Sequence, residues 1–220
     1  MAQSVDMKHL SQYIDHTLLR PDATEPEIAR LCDEALEYGF MSVCVRQQWL
    51  TLVSKRLQGS SVLPITVISF PHGDDPTAQK CTEARKAMDL GAREIDMVLN
   101  RGLVKQKDYA ALYEDIFKVI EVAGSIPVKV ILETSELDEH EKVIACAIAK
   151  AAGACFVKTS TGFSKAGATE SDIKLMRAVV GSEMGVKASG GIRTREDALR
   201  MLQAGASRLG TSASVKIVQP

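Results

Sequence analysis

Two lysines sit where a lysine is costly. Lys158 follows the apolar run Ala154-Cys-Phe-Val157, and Lys187 lies between Val186 and Ala188. A free lysine amine has a pKa near ~10.4, so at neutral pH it is protonated and inert as a nucleophile. Desolvation and a neighbouring cation both disfavour the charged form. Together they can bring an amine to ~7–8, where it attacks a carbonyl. The product is an iminium, an electron sink that permits either deprotonation to an enamine or cleavage of the next carbon–carbon bond. Both steps need a proton carrier, and Asp96, in Glu94-Ile-Asp-Met-Val-Leu-Asn100, is a carboxylate in a similarly apolar run. Spacing leans only slightly to Lys158 over Lys187 as the nucleophile.

The elements that must hold these groups alternate from end to end. Strand candidates are His16–Leu19, Ser42–Val45, Pro64–Ser69, Glu94–Leu99, Val128–Glu133, Cys155–Lys158, Gly185–Ser189 and Arg208–Thr211. Between them lie helix candidates at Thr24–Tyr38, Gln47–Leu57, Pro76–Leu90, Tyr109–Ala123, Asp138–Ala152, Thr169–Val180 and Thr194–Ala204, with short ones near Ser212 and around Val5–Tyr13. Thr24-Glu-Pro-Glu27 has capping-box spacing with proline in the first turn. Gly39, Gly91, Gly153 and Gly205 stop helices before every second strand, at intervals of 52, 62 and 52 residues, a weak repeat of two strand–helix units. Eight such units in 220 residues predict a (β/α)8 barrel forming a single domain over 1–220. The rival, a doubly wound sheet, lacks its glycine-rich turn after the first strand.

Strand alternation then assigns faces. Ile95, Met97 and Leu99 face the helices, which turns Glu94, Asp96, Val98 and Asn100 inward. The same rule points Asp15 and Thr17 inward against His16 and Leu18, Lys129, Ile131 and Glu133 against their valines and Leu132, Phe156 and Lys158 against Cys155 and Val157, and Lys187 and Ser189 against Val186 and Ala188. For Cys44, between two valines, the face stays open. The predicted interior holds Asp15, Asp96, Lys129, Glu133, Lys158 and Lys187, where most barrels pack branched apolar residues. Burying unpaired charge costs several kcal/mol, so this set needs a reason. A structural ion pair accounts for Lys129 with Glu133, four residues along the same strand on one face, but not for the whole set. Lys158 and Lys187, on consecutive strands about 4.8 Å apart, are close enough for one to depress the other's pKa.

Three Gly/Ser/Thr turns follow the last three strands: Thr159-Ser-Thr-Gly162, Ser189-Gly-Gly191 and Gly210-Thr-Ser212. Backbone N–H groups in such turns bind phosphate, and barrels often build that site after strands seven and eight. Arg193 and Lys165 are nearby cations for which solvation is the plain reading. A net charge of −1 gives no general case for nucleic acid or an acidic membrane, and no apolar run reaches the roughly 20 residues of a membrane span. Five cysteines without a CxxC pair suit a reducing cytoplasm, and no cluster has metal-ligand spacing. His16 reads as a structural histidine, His72 as a loop residue near the mouth, and Trp49 as packing at a helix start.

Ile14-Asp-His-Thr-Leu-Leu19, Glu94-Ile-Asp-Met-Val-Leu-Asn100, Val157-Lys-Thr-Ser-Thr-Gly-Phe163 and Val186-Lys-Ala-Ser-Gly-Gly-Ile-Arg193 resemble the 2-deoxy-D-ribose-5-phosphate aldolase family, from about residue 13 to about residue 215. The resemblance implies a class I aldolase on a (β/α)8 barrel. Such an enzyme reversibly cleaves 2-deoxy-D-ribose 5-phosphate to acetaldehyde and D-glyceraldehyde 3-phosphate, in deoxyribonucleoside catabolism, with no metal or organic cofactor. It further implies Lys158 as the Schiff-base lysine, Lys187 as the lysine that lowers its pKa, and Asp96 as the proton carrier. Thr161, Gly162, Gly190 and Gly191 match positions around the phosphate, with Gly210 and Ser212 in the third turn. Cys44 matches a pocket cysteine, and Asp15, Thr17 and Lys129 are expected to line the substrate site. The expected partners are phosphosugar and aldehyde substrates, with a homodimer as the assembly the class allows. Some members end in a tyrosine that reaches the site. The last tyrosine here is Tyr113, so protons are expected to move through Asp96, Lys187 and water. Lys165-Ala-Gly167 stands where many relatives are smaller or richer in glycine.

Two rivals stay in view. A Schiff-base aldolase or transaldolase with another donor, or a phosphosugar isomerase, would use the same barrel, though an isomerase would not need two interior lysines. A phosphosugar-binding sensor would gain nothing from so much buried charge.

Overall fold

Eight short apolar runs form eight parallel strands that close on themselves in chain order, in a computed structural model that describes residues 7–219. They are β1 (Ile14–Leu18), β2 (Ser42–Val45), β3 (Leu63–Ile68), β4 (Glu94–Val98), β5 (Val128–Ile131), β6 (Phe156–Lys158), β7 (Gly185–Ser189) and β8 (Arg208–Thr211). The helices are α1 (Glu25–Tyr38), α2 (Leu50–Arg56), α3 (Thr77–Asp89), α4 (Arg101–Gln106), α5 (Tyr109–Ala123), α6 (Glu139–Ala151), α7 (Glu170–Val180), α8 (Arg195–Gln203) and α9 (Ser214–Val218). This is the expected (β/α)8 barrel. The capping box at Thr24 forms, with Glu27 returning to the Thr24 backbone, and Gly39 ends α1 in the left-handed region at φ 63°.

Several expected boundaries move, each for a local reason. The predicted helix Gln47–Leu57 begins as a 3₁₀ turn, Gln47–Trp49, before α2. Trp49 packs against the core there, as expected. The segment around Val5–Tyr13 is a 3₁₀ stretch from Met7 to Tyr13, and the first two residues of that expectation lie outside the described residues. β4 stops at Val98, because Asn100 leaves the ladder to cap α4 by accepting from the Leu103 N–H. α4 was not foreseen: six residues are too few to show helical periodicity. β5 stops at Ile131, and Glu133, expected inside the strand, adopts a left-handed φ of 57° ahead of a 3₁₀ turn.

Two cores result. The larger lies between barrel and helices and takes Ile95, Met97, Leu99, Val128, Val130, Leu132, Val157 and Val186, the outward set that alternation assigned. The smaller lies inside the barrel and holds Leu19, Cys44, Ile65 and Val67, which resolves the open face of Cys44 as inward. The interior is therefore divided. Apolar side chains fill it beside β2 and β3, and charge fills it from β4 round through β8 to β1. His16 points outward, bonded to Ser214 and Glu34 and packed on Phe40, a satisfied structural histidine.

Candidate active site

Adjacent strands stand in register at Lys158↔Lys187 and Lys187↔Arg208, so three cations lie side by side across β6, β7 and β8. From β4, Asp96 reaches across to them. Its Oδ2 accepts from Nζ of Lys158 at 2.8 Å and from Nζ of Lys187 at 2.8 Å, and its Oδ1 accepts from Lys129 at 2.9 Å. Lys129 also pairs with Glu94 at 2.5 Å, and Lys187 with Asp15. Arg208 donates to Asp15 at 2.8 Å and to Glu94 at 3.1 Å. Ser42 adds a 2.7 Å bond to Asp15. The ring of Phe156 lies against Lys129 and Arg208, and Gly185 is glycine because a Cβ there would stand 2.2 Å from that ring.

This network corrects two sequence expectations. The Lys129–Glu133 ion pair does not form. Once Glu133 turns out of β5, its carboxylate accepts from the N–H and hydroxyl of Thr161, and Lys129 pairs instead with β4. The charged set is also larger than expected, because Arg208 belongs to it, paired with Asp15 and with Glu94, which alternation had already turned inward. Alternation could have found Arg208: Leu209 packs outward, so Arg208 and Gly210 must face in.

The two lysines differ in environment. Burial, opposed by Asp96 and reinforced by the Lys187 charge, pulls the Lys158 amine below the ordinary lysine value. Burial acts on Lys187 too, but the carboxylates of Asp15 and Asp96 outweigh it and hold the ammonium form well above the usual range. Asp96, although buried, is kept far below the carboxylate range by Lys129, Lys158 and Lys187. Cys44 is fully enclosed, and burial pushes its thiol up to about 11. The surroundings thus separate two lysines that spacing left nearly equivalent: burial pulls Lys158 toward the neutral amine, and two carboxylates hold Lys187 as the ammonium.

Lys158 forms the floor of a cleft of about 330 Å³ at the C-terminal end of the strands. Thr17, Thr161, Gly162, Gly190, Gly191, Gly210 and Ser212 line it, as do Phe163 and Arg193. Asp15, Cys44 and Lys129 do not: they are fully buried and support the floor from within. Gly210 has a packing reason, since a Cβ would meet the Lys187 stem at 3.0 Å. Lys165 is exposed and His72 is exposed, and neither lines the cleft. The loop after β6 is clamped to the loop after β7: Ala168 N–H donates to the Ser189 and Gly190 carbonyls, and a Cβ on Gly167 would fall 2.0 Å from the Gly190 oxygen. The sequence reading missed Phe163. Its ring meets Phe70 edge-on, and the Arg46 guanidinium packs against both.

A closed parallel barrel with a buried lysine at the floor of its C-terminal cleft has the architecture of a barrel enzyme, and the comparisons specify which kind. The sequence profile described as DeoC/LacD family aldolase matches residues 9–214. A deoxyribose-phosphate aldolase from Thermococcus kodakarensis is 52% identical over 219 residues, covering 98% of each chain. One from Brevibacillus brevis is 53% identical over 210 residues, covering 96% of this chain and 95% of the relative. The solved tetrameric deoxyribose phosphate aldolase from Aeropyrum pernix superposes with a TM-score of 0.90 at 34% identity, covering 96% of this chain and 90% of that one. The chain belongs to the DeoC/LacD family of aldolases. Among the described residues, no helix is long and apolar enough to cross a membrane.

Proposed function

We propose that the chain cleaves 2-deoxy-D-ribose 5-phosphate reversibly to acetaldehyde and D-glyceraldehyde 3-phosphate through a Schiff base on Lys158. The observation that carries this is the sharing of Asp96 Oδ2 by two amines of which only Lys158 opens to the cleft. The neutral Nζ adds to C1 of the open-chain sugar, and loss of water gives the iminium. Removal of the C3 hydroxyl proton breaks the C2–C3 bond. The bond electrons pass into the iminium as an enamine, and C3 departs as the aldehyde carbon of glyceraldehyde 3-phosphate. Protonation at C2 and hydrolysis release acetaldehyde and the lysine. Asp96 carries the proton. At rest three lysines hold it ionised, and turning of the Lys158 nitrogen toward substrate loosens one of those contacts and raises its basicity. Lys187 stays charged and disfavours a second ammonium beside it.

The phosphate is taken by the turns at Thr161–Gly162, Gly190–Gly191 and Ser212, with Arg193 at the rim, whose backbone N–H groups need no side-chain cation to bind an anion. Gly167→Ala should separate the two clamped loops while leaving Lys158 in place. The expected result is a KM about tenfold higher with kcat changed less than about threefold. An unchanged KM would remove those loops from the phosphate site. In this reading the enzyme works in a reducing cytoplasm, where its five free thiols persist, and assembles as a homodimer.

The direct test is incubation with acetaldehyde, reduction with borohydride and peptide mass spectrometry. An ethyl group on Lys158 is expected. An adduct on Lys187 alone would exchange the two roles, and folded protein without any adduct would sink the mechanism.

A further inference from the structure

The sealed group beneath the cleft does not balance. It contains four bases, Lys129, Lys158, Lys187 and Arg208, and three carboxylates, Asp15, Glu94 and Asp96, joined by the contacts described above. With every group ionised, one positive charge is left over in a region almost wholly withdrawn from water. Burying a net charge is expensive, and the group that can release its proton most easily will do so. Three of the four bases are held. A guanidinium does not deprotonate in a protein. Lys129 lies between Glu94 and Asp96, and Lys187 between Asp15 and Asp96. Lys158 touches one carboxylate only, on an oxygen that Lys187 already uses, and it alone of the four faces the cleft.

We infer that Arg208, on β8 and walled off from the cleft, is the positioning residue that keeps Lys158 a free amine, by supplying the fourth positive charge to a group with three negative ones. This rests on Lys158 being the Schiff-base lysine. It goes beyond that reading because the lysine pair alone does not suffice. Without Arg208, three lysines would face three carboxylates, every group could stay ionised, and Lys158 would keep its proton.

The other ionisable groups near the floor stand outside these ion pairs. Glu133 gives its carboxylate to Thr161 and contacts none of the four bases. The groups acting most strongly on Lys158 are Asp96 and Lys187, then Cys44, whose thiol burial keeps protonated. Arg208 is faced by Asp15 from β1, by Glu94 from β4 and by Lys187 from β7. It stands two strands from Lys158 in the same register, roughly 10 Å at the backbone. A unit charge at that distance in a weakly polar interior moves a pKa by about one unit.

The charge count makes predictions of opposite sign. Trapping of acetaldehyde on Lys158 by borohydride, followed by mass spectrometry across pH 5–9, gives the midpoint of the amine in each variant. Arg208→Met should move the midpoint about one unit alkaline, so trapping one unit below the wild-type midpoint falls about tenfold. Glu94→Gln removes a negative charge and should move it acid by a similar amount. Arg208→Met with Glu94→Gln restores the surplus and should return the midpoint to the wild-type value. Arg208→Lys should leave it unchanged. The double variant also removes an ion pair as a unit, the change a buried network tolerates best, so it keeps the test alive if Arg208→Met fails to fold. Equal midpoints in all folded variants, or shifts of one sign in both single variants, would overturn the inference and leave Lys158 as nucleophile. Absence of any Lys158 adduct in the wild type would overturn the nucleophile assignment and this inference with it.

Discussion

A Lys158→Leu variant folds, loses cleavage of deoxyribose 5-phosphate by at least about 10⁴-fold in kcat/KM, and is no less stable than the wild type. The loss of cleavage follows from removing the proposed nucleophile, and folding from leaving the other ion pairs intact. The third result follows from electrostatics. Leucine fills a similar volume, and deleting the Lys158 amine leaves three bases facing three carboxylates. The pH dependence has a definite sign. Burial lowers the Lys158 value in the folded state below that of the unfolded chain. Between those two values the unfolded chain binds the extra proton, so wild-type stability rises with pH, and below the folded value the full penalty is paid. The variant escapes that penalty. Its advantage in thermal unfolding should be largest at acid pH and shrink toward pH ~10.4. A variant that cleaves the substrate at an appreciable rate would end the assignment. One that unfolds at every pH would show that Lys158 carries structural weight the charge count denies.

Much of this was legible in the sequence, and the boundary of legibility is physical. Alternation reads the face of a strand, so the inward set Asp15, Asp96, Lys129, Lys158 and Lys187 could be named from residue order. It does not read height. Barrel strands tilt and stagger, and the depth of a side chain depends on that stagger. Asp15, Lys129 and Cys44 were therefore expected along the substrate cleft, and they lie beneath its floor. Alternation also presumes that the strand continues. Glu133 breaks that presumption through a left-handed turn at a residue that is not glycine, and the expected pair with Lys129 goes with it. The three glycine-rich turns were visible by composition. The clamp between Gly167 and Gly190 was not, because it joins two loops that come together only in the closed barrel. The difference between the two lysines lay in what spacing lacks: the number of carboxylates each one meets.

Asp96→Asn should separate the two halves of the reaction. Asp96 accepts from three lysines, and asparagine offers one oxygen and one donating nitrogen in their place. Two consequences are expected. The first is a loss of about 3–5 kcal/mol in unfolding free energy at neutral pH, the cost of stranding buried cations. Because the wild-type carboxylate is held far below its unfolded value, its contribution is present above that value, about 3.9, and is lost as pH falls. The stability gap between wild type and variant should therefore narrow below about pH 4. The second consequence is chemical. Asp96 is the charge that holds a proton on Lys158, so its removal makes the amine easier to deprotonate, and Schiff-base formation survives. Proton transfer to and from the substrate does not survive, and kcat for cleavage should fall by about 10²–10⁴-fold. Acetaldehyde is then trapped on Lys158 by borohydride while deoxyribose 5-phosphate goes uncleaved. The folded variant also fails to exchange the methyl protons of acetaldehyde for solvent deuterium, because that exchange runs through the enamine. Loss of trapping together with cleavage, in protein that remains folded, would move Asp96 from proton carrier to a group that only positions Lys158.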